Sequence, residues 1–284
     1  MTAHASALFA PGLFKGRVVA VTGGGSGINL GIADTLASLG ADVAICGRTA
    51  SRLEAAAEKL RAHGGRVLPV VADVRDFGAQ TAFLAEVEAT FGPVSTLVCG
   101  AAGNFLAPAE KLSSNGFRTV IEIDLIGSFN STRAAFDQLR QTRGNIVYVS
   151  AGQGFMPYAF QAHAGAAKAG IEQMMRNLAL EWGPYGIRVN SVAPGPIADT
   201  EGLLRLANPA ELERFVRAIP LQRLGEVGEI GQAVAFLASP LSAYITGTQI
   251  VCDGGQNLAG SGLLNHSVGK MLASAAATGE PSHG

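Results

Sequence analysis

Short apolar segments alternate with segments of helical periodicity along most of the chain. The apolar segments predict strands over residues 17–22, 41–46, 66–71, 94–99, 145–150, 188–192 and 249–252. Helical spacing predicts helices over residues 28–39, 51–62, 77–91, 116–140, 162–182 and 227–238. Apolar strands that alternate with amphipathic helices are typical of a parallel sheet covered on both faces. We therefore expect an α/β fold, one doubly wound domain with right-handed crossovers.

The composition limits the classes of partner that the chain can have. Hydrophobic residues make up 48% and charged residues 15% of the 284 residues, which suits one large domain with a sizeable core. The formal net charge is −1 and no block of lysine and arginine occurs, which argues against a nucleic-acid partner. No apolar segment approaches the ~20 residues of a membrane span, so no membrane partner is expected either.

The three cysteines, Cys46, Cys99 and Cys252, each lie in a predicted strand. None has metal-ligand spacing, so we predict reduced core thiols and no metal site. The N-terminal residues lack the basic region and the apolar segment of a secretory signal. Residues 282–284 differ from the peroxisomal Ser-Lys-Leu address. We therefore expect a cytoplasmic location.

Two regions fall outside the alternating pattern. Residues 193–225 carry four prolines around short helical pieces and follow the C-terminal end of a strand, where doubly wound folds bind ligands. We predict a substrate lid there, within a domain that spans residues 15–255. Residues 1–14 are expected to be an N-terminal extension, and residues 256–284, rich in glycine, serine and alanine, a C-terminal tail.

A glycine-rich turn joins the first predicted strand to the first predicted helix. Its residues are Gly23, Gly24, Gly25, Ser26, Gly27 and Ile28. Glycines let the backbone approach a pyrophosphate, and the N–H groups at the start of the helix point at that negative charge. The turn, at this position in the fold, predicts binding of a dinucleotide.

The end of the second predicted strand indicates which dinucleotide is bound. An NAD-dependent protein usually has an acidic residue there, which holds the ribose 2′-hydroxyl group. This chain has Arg48 instead, and a guanidinium group suits a 2′-phosphate. The predicted cofactor is therefore NADP(H).

The glycine turn and the segment from Gln161 to Lys168 together resemble the short-chain dehydrogenase/reductase family, whose members have a Rossmann-type fold. The catalytic set of that family is usually Asn, Ser, Tyr and Lys. At the matching positions this chain has Asp124, Ala151, Ala164 and Lys168. Only the lysine is retained, and a new carboxylate is present at one of the changed positions.

Three further motifs, at residues 102–105, 161–165 and 195–202, resemble 2,4-dienoyl-CoA reductases of the peroxisomal type, which also lack the tyrosine. The resemblance covers residues 14–255 and implies Asp124 and Lys168 as catalytic residues. It implies further cofactor contacts at Asp73, Val74, Lys168, Pro194, Gly195 and Ile197. It implies acyl-CoA contacts at Arg48, Arg75, Phe105, Ser113, Ser114, Asn115 and Arg205.

The reaction implied by this resemblance explains why the tyrosine can be absent. Carbonyl reduction needs a proton donor at the oxygen beside the reduced carbon. In a 2,4-dienoyl thioester the hydride adds at C5, the charge moves to the thioester oxygen, and a proton then adds at C2 to give 3-enoyl-CoA. We expect Asp124 and Lys168 to hold the water that delivers this proton, each keeping the other ionised. The implied role is in degradation of unsaturated fatty acids.

Two alternatives remain from the sequence. One is another NADP-dependent short-chain reductase of carbonyl or 3-oxoacyl groups, with Tyr158 or water as proton donor; Ser150 is a further candidate donor. The other is a non-catalytic nucleotide-binding scaffold, against which the new carboxylate Asp124 argues.

His163 is expected to be structural, because consecutive helical residues point in different directions. The resemblance also implies a homotetramer built through the helices that carry Asp124 and Lys168.

Overall fold

The computed structural model describes residues 8–200 and 209–261. Its centre is a seven-stranded sheet in the order β3-β2-β1-β4-β5-β6-β7, and every neighbouring pair is parallel. The strands are β1 Val18–Thr22, β2 Asp42–Gly47, β3 Val67–Val71, β4 Thr96–Cys99, β5 Asn145–Val149, β6 Arg188–Pro194 and β7 Gln249–Cys252. The strand order reverses between β1 and β4, which is where a doubly wound sheet opens a crevice for ligands.

Helices cover both faces of this sheet. They are α1 Gly27–Ser38, α2 Ala50–Arg61, α3 Phe77–Phe91, α4 Ser114–Ile121, α5 Gly127–Ala134, α6 Phe136–Thr142, α7 Ala162–Trp182, α8 Pro209–Arg217 and α9 Val227–Ala238. One buried cluster packs α1, α2 and α9 on one face, and a second packs α3, α6 and α7 on the other. The predicted doubly wound α/β fold is confirmed.

The helical segment predicted over residues 116–140 is confirmed, but it is not one regular α-helix. It consists of α4, a π-helical turn at Glu122–Ile126, α5 and α6 in succession. Gly127 follows the π turn and packs against the segment after β3, where an added Cβ would lie 2.5 Å from Cγ2 of Val74. The close packing of Gly127 and the π turn before it are features of tertiary structure. The spacing of apolar residues in the sequence does not predict them.

The described helices contain none that is both long and apolar enough to span a membrane. The sequence predicted three free thiols, and Cys46 and Cys99 are buried in the core while Cys252 is half-buried, none of them in a disulfide. The lid predicted over residues 193–225 is described only in part. Within it lie the end of β6, a bridge between Ile197 and Gly225, and α8, whereas residues 201–208 are outside the described ranges.

Candidate active site

A cavity of about 550 Å³ opens at the carboxyl edge of the sheet, at the reversal of strand order. Its walls are the glycine turn, the ends of β2 and β3, the loops after β4 and β5, and the first half of α7. The cavity extends from Arg48 at one end to Asp124 and Lys168 at the other. One continuous space therefore connects the predicted cofactor site with the predicted catalytic pair.

The glycine turn has the backbone that its sequence predicts. Gly23 and Gly27 have φ angles of 69° and 56°, which favour glycine. At Gly24 an added Cβ would lie 2.6 Å from Cγ2 of Ile45, so the turn lies directly against β2. Gly25 and Ser26 complete the cavity wall at the amino end of α1. Backbone N–H groups at a helix start suit a pyrophosphate, so the residues fit a dinucleotide.

Asn29 replaces the glycine that the family usually has at the start of this helix, and it has a structural partner. Its Nδ2 donates to the carbonyl oxygen of Gly100 at 2.7 Å. Gly100 lies in the loop after β4, where the family usually has asparagine. An added Cβ on Gly100 would lie 2.0 Å from Oδ1 of Asn29. The amide that is missing after β4 is thus supplied from α1, across the floor of the cavity.

Charged side chains line the end of the cavity beside β2 and β3. Arg48 and Asp73 line the same wall, with Val74 next to them. Arg75 donates to Asp73 through Nη2 at 2.6 Å, and this pairing holds the pKa of the Asp73 carboxyl below its usual value. Asn130 of α5 donates to the carbonyl oxygen of Val74 at 2.9 Å and so fixes this loop. Arg48 is exposed and suits a 2′-phosphate group.

Asp124 and Lys168 meet at the other end of the cavity. Asp124 lies in the π turn and is 1% exposed. Its Oδ1 accepts a hydrogen bond from the N–H of Gly103 at 2.7 Å, and its Oδ2 lies 3.3 Å from Nζ of Lys168. Nζ also donates to the carbonyl oxygen of Val149 at 3.1 Å. Three separate segments therefore hold the pair that the sequence placed together only by resemblance.

Burial and the partners of Asp124 act on its pKa in opposite directions. Burial has the larger effect and raises the pKa of the Asp124 carboxyl above its usual value. Lys168 and the N–H of Gly103 lower it. The effect of Lys168 thus has the direction that the sequence predicted, and the ionised state of the pair stays a prediction.

The position of the family's tyrosine is occupied by a methyl group. Ala164 and Ala151 both line the cavity and leave space above Lys168. Ser150 lines the same wall, and its Oγ is buried without a hydrogen-bond partner among the described residues. Tyr158 is half-buried, and burial raises the pKa of its hydroxyl, assisted by Asp253. Neither hydroxyl stands at a position where the family has a catalytic group.

The sequence analysis missed an amide cluster at the mouth of the cavity. Asn104 and Gln153 both line the cavity, and both donate to Oε1 of Gln161, at 2.7 and 3.0 Å respectively. Beside them the ring of His163 is fully buried and lies edge-on to Phe105, with ring centroids 4.4 Å apart. Asn104 was visible in the sequence only as part of a motif, since its partner Gln161 is 57 residues away.

Several predicted contacts do not line this cavity. Ser113 caps α4 by accepting from the N–H of Gly116 at 3.0 Å, and Ser114 lines a neighbouring groove. Asn115, in the first turn of α4, lines neither space. The predicted cofactor contacts Pro194, Gly195 and Ile197 lie at the end of β6 and directly after it, and Ile197 is buried in the core. The predicted contact Arg205 lies outside the described residues.

Known proteins resemble this chain over most of its length. A family model described as enoyl-(acyl carrier protein) reductase matches residues 23–257. A peroxisomal 2,4-dienoyl-CoA reductase from Danio rerio, named as producing (3E)-enoyl-CoA, is 46% identical over 251 residues, covering 87% of this chain and 84% of the relative. A probable 2,4-dienoyl-CoA reductase from Bacillus subtilis, named as producing (2E)-enoyl-CoA, is 40% identical over 246 residues, covering 84% and 96%.

Solved structures share the same fold. One is a short-chain oxidoreductase from Pseudomonas aeruginosa PAO1, described as NADPH-bound and as containing an atypical catalytic centre. It has a TM-score of 0.80 and 33% identity, covering 85% of this chain and 97% of that one. The parallel sheet, the glycine turn, the retained lysine and these similarities lead to one conclusion: the chain belongs to the short-chain dehydrogenase/reductase family.

Proposed function

We propose that this protein reduces 2,4-dienoyl-CoA to 3-enoyl-CoA with NADPH, as a step in the degradation of unsaturated fatty acids. The observation that carries the proposal is the buried pair of Asp124 and Lys168 beneath the empty tyrosine position at Ala164. A carbonyl reductase needs a hydroxyl donor at that position, whereas a dienoyl reductase needs a proton source at carbon. The names of the relatives from Danio rerio and Bacillus subtilis support the same substrate.

Asp124 and Lys168 hold, in this proposal, the water molecule that protonates C2. NADPH, when bound, would supply a hydride to C5. The dienolate that results has double bonds at C3–C4 and C1–C2 and carries its negative charge on the thioester oxygen. A proton then passes from the held water to C2, the C1–C2 double bond is lost as the thioester carbonyl re-forms, and solvent restores the proton of the water. Burial raises the pKa of the Asp124 carboxyl, so this group takes up a proton more readily than an exposed carboxylate and is suited to relay one to that water.

Asn104 supplies a hydrogen-bond donor for the thioester oxygen. The side-chain amide lines the cavity, and only one of its two N–H groups is donated to a described residue, Gln161. A donor placed where charge develops stabilises the transition state by roughly 3–4 kcal/mol in comparable sites. Asn104 thus replaces the tyrosine as the hydrogen-bond donor to the oxygen. Asp124 and Lys168 replace it as the source of the proton.

The proposed cofactor is NADP(H) and the proposed substrate carrier is coenzyme A. The Arg48 guanidinium pairs with the 2′-phosphate, and Lys168 with the nicotinamide ribose. We assign the phosphates of coenzyme A to Arg75, which pairs with Asp73, and the acyl group to Phe105. The NADPH-bound structure from Pseudomonas aeruginosa supports the choice of cofactor.

We also propose a homotetramer and a cytoplasmic location. Large apolar side chains, namely Phe117, Ile126 and Phe129, are 39–49% exposed along α4, the π turn and α5, as expected for a face that packs on another subunit. Three free thiols support a reducing compartment. The word peroxisomal belongs to the names of several eukaryotic relatives, whereas the Bacillus subtilis relative carries no such word.

The proposal is tested by NADPH oxidation with a medium-chain 2,4-dienoyl-CoA, with acetoacetyl-CoA as a parallel substrate. Turnover of the dienoyl substrate alone supports the proposal, and turnover of acetoacetyl-CoA alone would point to a carbonyl reductase with Tyr158 as donor. NADPH binding without either turnover would indicate a scaffold. Product analysis separates 3-enoyl-CoA, made by protonation at C2, from the (2E)-enoyl product in the name of the Bacillus subtilis relative.

A further inference from the structure

The buried side chain of Gln161 joins two loops at the mouth of the cavity through hydrogen bonds. Gln161 is 6% exposed and lies immediately before α7. Its Oε1 accepts one hydrogen bond from Asn104, in the loop after β4, and one from Gln153, in the loop after β5. We call these three residues the amide clasp. Both donors of the clasp line the cavity, so the acceptor controls the shape of its mouth.

The backbone beside the clasp is held in an unusual conformation. Phe160, the residue before Gln161, has a φ of 66°, in the left-handed region that large side chains rarely adopt. Its carbonyl oxygen accepts a hydrogen bond from the N–H of Ala107 at 3.0 Å. Such conformations persist where the surroundings hold them, often at active sites. The clasp residue Gln161 follows Phe160 directly, and the bond from Ala107 holds the Phe160 carbonyl.

The clasp determines which way the Asn104 amide faces. Because Oε1 of Gln161 only accepts, the NH2 end of Asn104 must point towards it. The Oδ1 of Asn104 is buried and receives no hydrogen bond from the described residues. Without Gln161 the amide could rotate and satisfy Oδ1 instead, which would place an acceptor where the substrate needs a donor.

We propose that Gln161 is a positioning residue for the reaction. It fixes Asn104 so that the second N–H of the amide donates to the thioester oxygen as negative charge develops there. This inference rests on the proposed function and deepens it, since it names the group that orients the donor for the thioester oxygen. A misplacement of about 1 Å in such a donor costs on the order of a hundredfold in rate.

The test uses two substitutions that keep the length of the side chain. Gln161→Met removes the acceptor, and Gln161→Glu retains an acceptor oxygen. With 2,4-dienoyl-CoA and saturating NADPH, we expect Gln161→Met to lower kcat by about tenfold to a hundredfold, with KM changing much less, since donation to the developing charge is a transition-state effect. Gln161→Glu should restore most of kcat. The NADPH dissociation constant should stay within about twofold of wild type in both variants, because the clasp orients a donor for the substrate.

A double-variant cycle separates positioning from a general loss of structure. In an Asn104→Ala background, Gln161→Met should cause no further loss of kcat, because the two residues act as one unit. The matched control is Gln173→Met, at an exposed glutamine on α7, the helix that Gln161 precedes; it should leave kcat unchanged. Independent, multiplying losses in the double variant would overturn the inference.

The two levels of proposal fail in different ways. If the wild-type protein turns over 2,4-dienoyl-CoA and Gln161→Met does so equally well, the positioning role is wrong and the proposed function stands. If the wild-type protein does not turn over this substrate, the proposed function is wrong and the positioning role is overturned with it. Melting temperatures of all variants show whether each remains folded.

Discussion

At the scale of single residues, the proposed reaction divides the tasks of one tyrosine among several groups. The sequence predicted two of them, Asp124 and Lys168, because each stands at a fixed distance from a motif of the family. It did not predict Gln161 or the orientation of Asn104, because hydrogen bonds between loops 57 residues apart leave no local pattern. It also did not predict the direction of the pKa shift of Asp124, which depends on burial.

Replacement of Asp124 by alanine or asparagine should reduce kcat for 2,4-dienoyl-CoA. General acid–base groups contribute about a hundredfold to ten-thousandfold, so a loss of at least a hundredfold is expected. The measurement is NADPH oxidation at saturating substrate. Asp137→Asn, on the exposed surface of α6, is the matched control and should have wild-type activity. Wild-type rates in both Asp124 variants would exclude the carboxyl from proton transfer.

The raised pKa of Asp124 also predicts how stability depends on pH. A group whose pKa is higher in the folded state stabilises the fold fully below its unfolded pKa, near 4, and loses this contribution as pH rises through the folded pKa. Asparagine has no such titration. The unfolding free energy of wild type minus that of Asp124→Asn should therefore fall as pH rises from about 4. Denaturant midpoints of both proteins across this range measure the difference, and a rising difference would show that the pKa is lowered instead.

Arg48 should determine the choice between NADPH and NADH. Charge-assisted hydrogen bonds contribute roughly 1.5–3 kcal/mol. Arg48→Glu should therefore reduce the ratio of kcat/KM measured with NADPH to kcat/KM measured with NADH by about tenfold to a hundredfold or more. Arg61→Glu, a similar change on the exposed surface of α2, serves as the control. An unchanged ratio in Arg48→Glu would place the 2′-phosphate elsewhere.

At the scale of elements, a predicted helix was accurate where the local sequence determines where the helix ends. The helix predicted over residues 162–182 was confirmed as α7, because Gly183 and Pro184 stop it in the sequence itself. The helix predicted over residues 116–140 is helical but contains a π turn that the sequence did not predict, next to the close approach of Gly127 to the segment after β3. That turn carries Asp124, and π turns of this kind are frequent at functional sites.

The contact between Asn29 and Gly100 makes a prediction about the two elements that it joins. In Gly100→Ala the new Cβ would lie 2.0 Å from Oδ1 of Asn29, so the Asn29 bond to this loop would break. We expect a loss of about 1–3 kcal/mol in unfolding free energy, together with weaker NADPH binding. Adding Asn29→Gly should recover much of the stability by removing the clash. Gly183→Ala, where an added Cβ meets nothing within 4 Å, is the control; no recovery in the double variant would contradict this account.

At the scale of the whole molecule, the alternation of strands and helices predicted a parallel sheet with two covering layers. It did not give the strand order, which depends on the crossovers between strands rather than on any one segment. Strand order matters for function, since its reversal between β1 and β4 creates the cavity. The alternation of apolar and amphipathic segments thus predicts the described fold, whereas the position of the site depends on the order of the strands.

The proposed assembly makes a prediction at the same scale. Phe129 on α5 is 49% exposed, and a charge buried there in a subunit interface would lack a partner. Phe129→Glu should therefore convert the proposed tetramer into smaller species, measured by light scattering after size exclusion. Glu58→Lys on α2, across the sheet, should leave the molecular mass unchanged. If wild type is a monomer, the proposed tetramer is wrong.

The position of the Asp124–Lys168 pair at one end of the cavity has a consequence for the origin of the hydrogen atoms in the product. In the proposed reaction one hydrogen comes from the dinucleotide, and the other comes from a held water that exchanges with bulk solvent. Heavy water with ordinary NADPH would then label C2 alone, and deuterated NADPH in ordinary water would label C5 alone. One reaction would then label two positions of an acyl chain independently with deuterium, so the protein could be used to prepare site-labelled lipids for metabolic tracing.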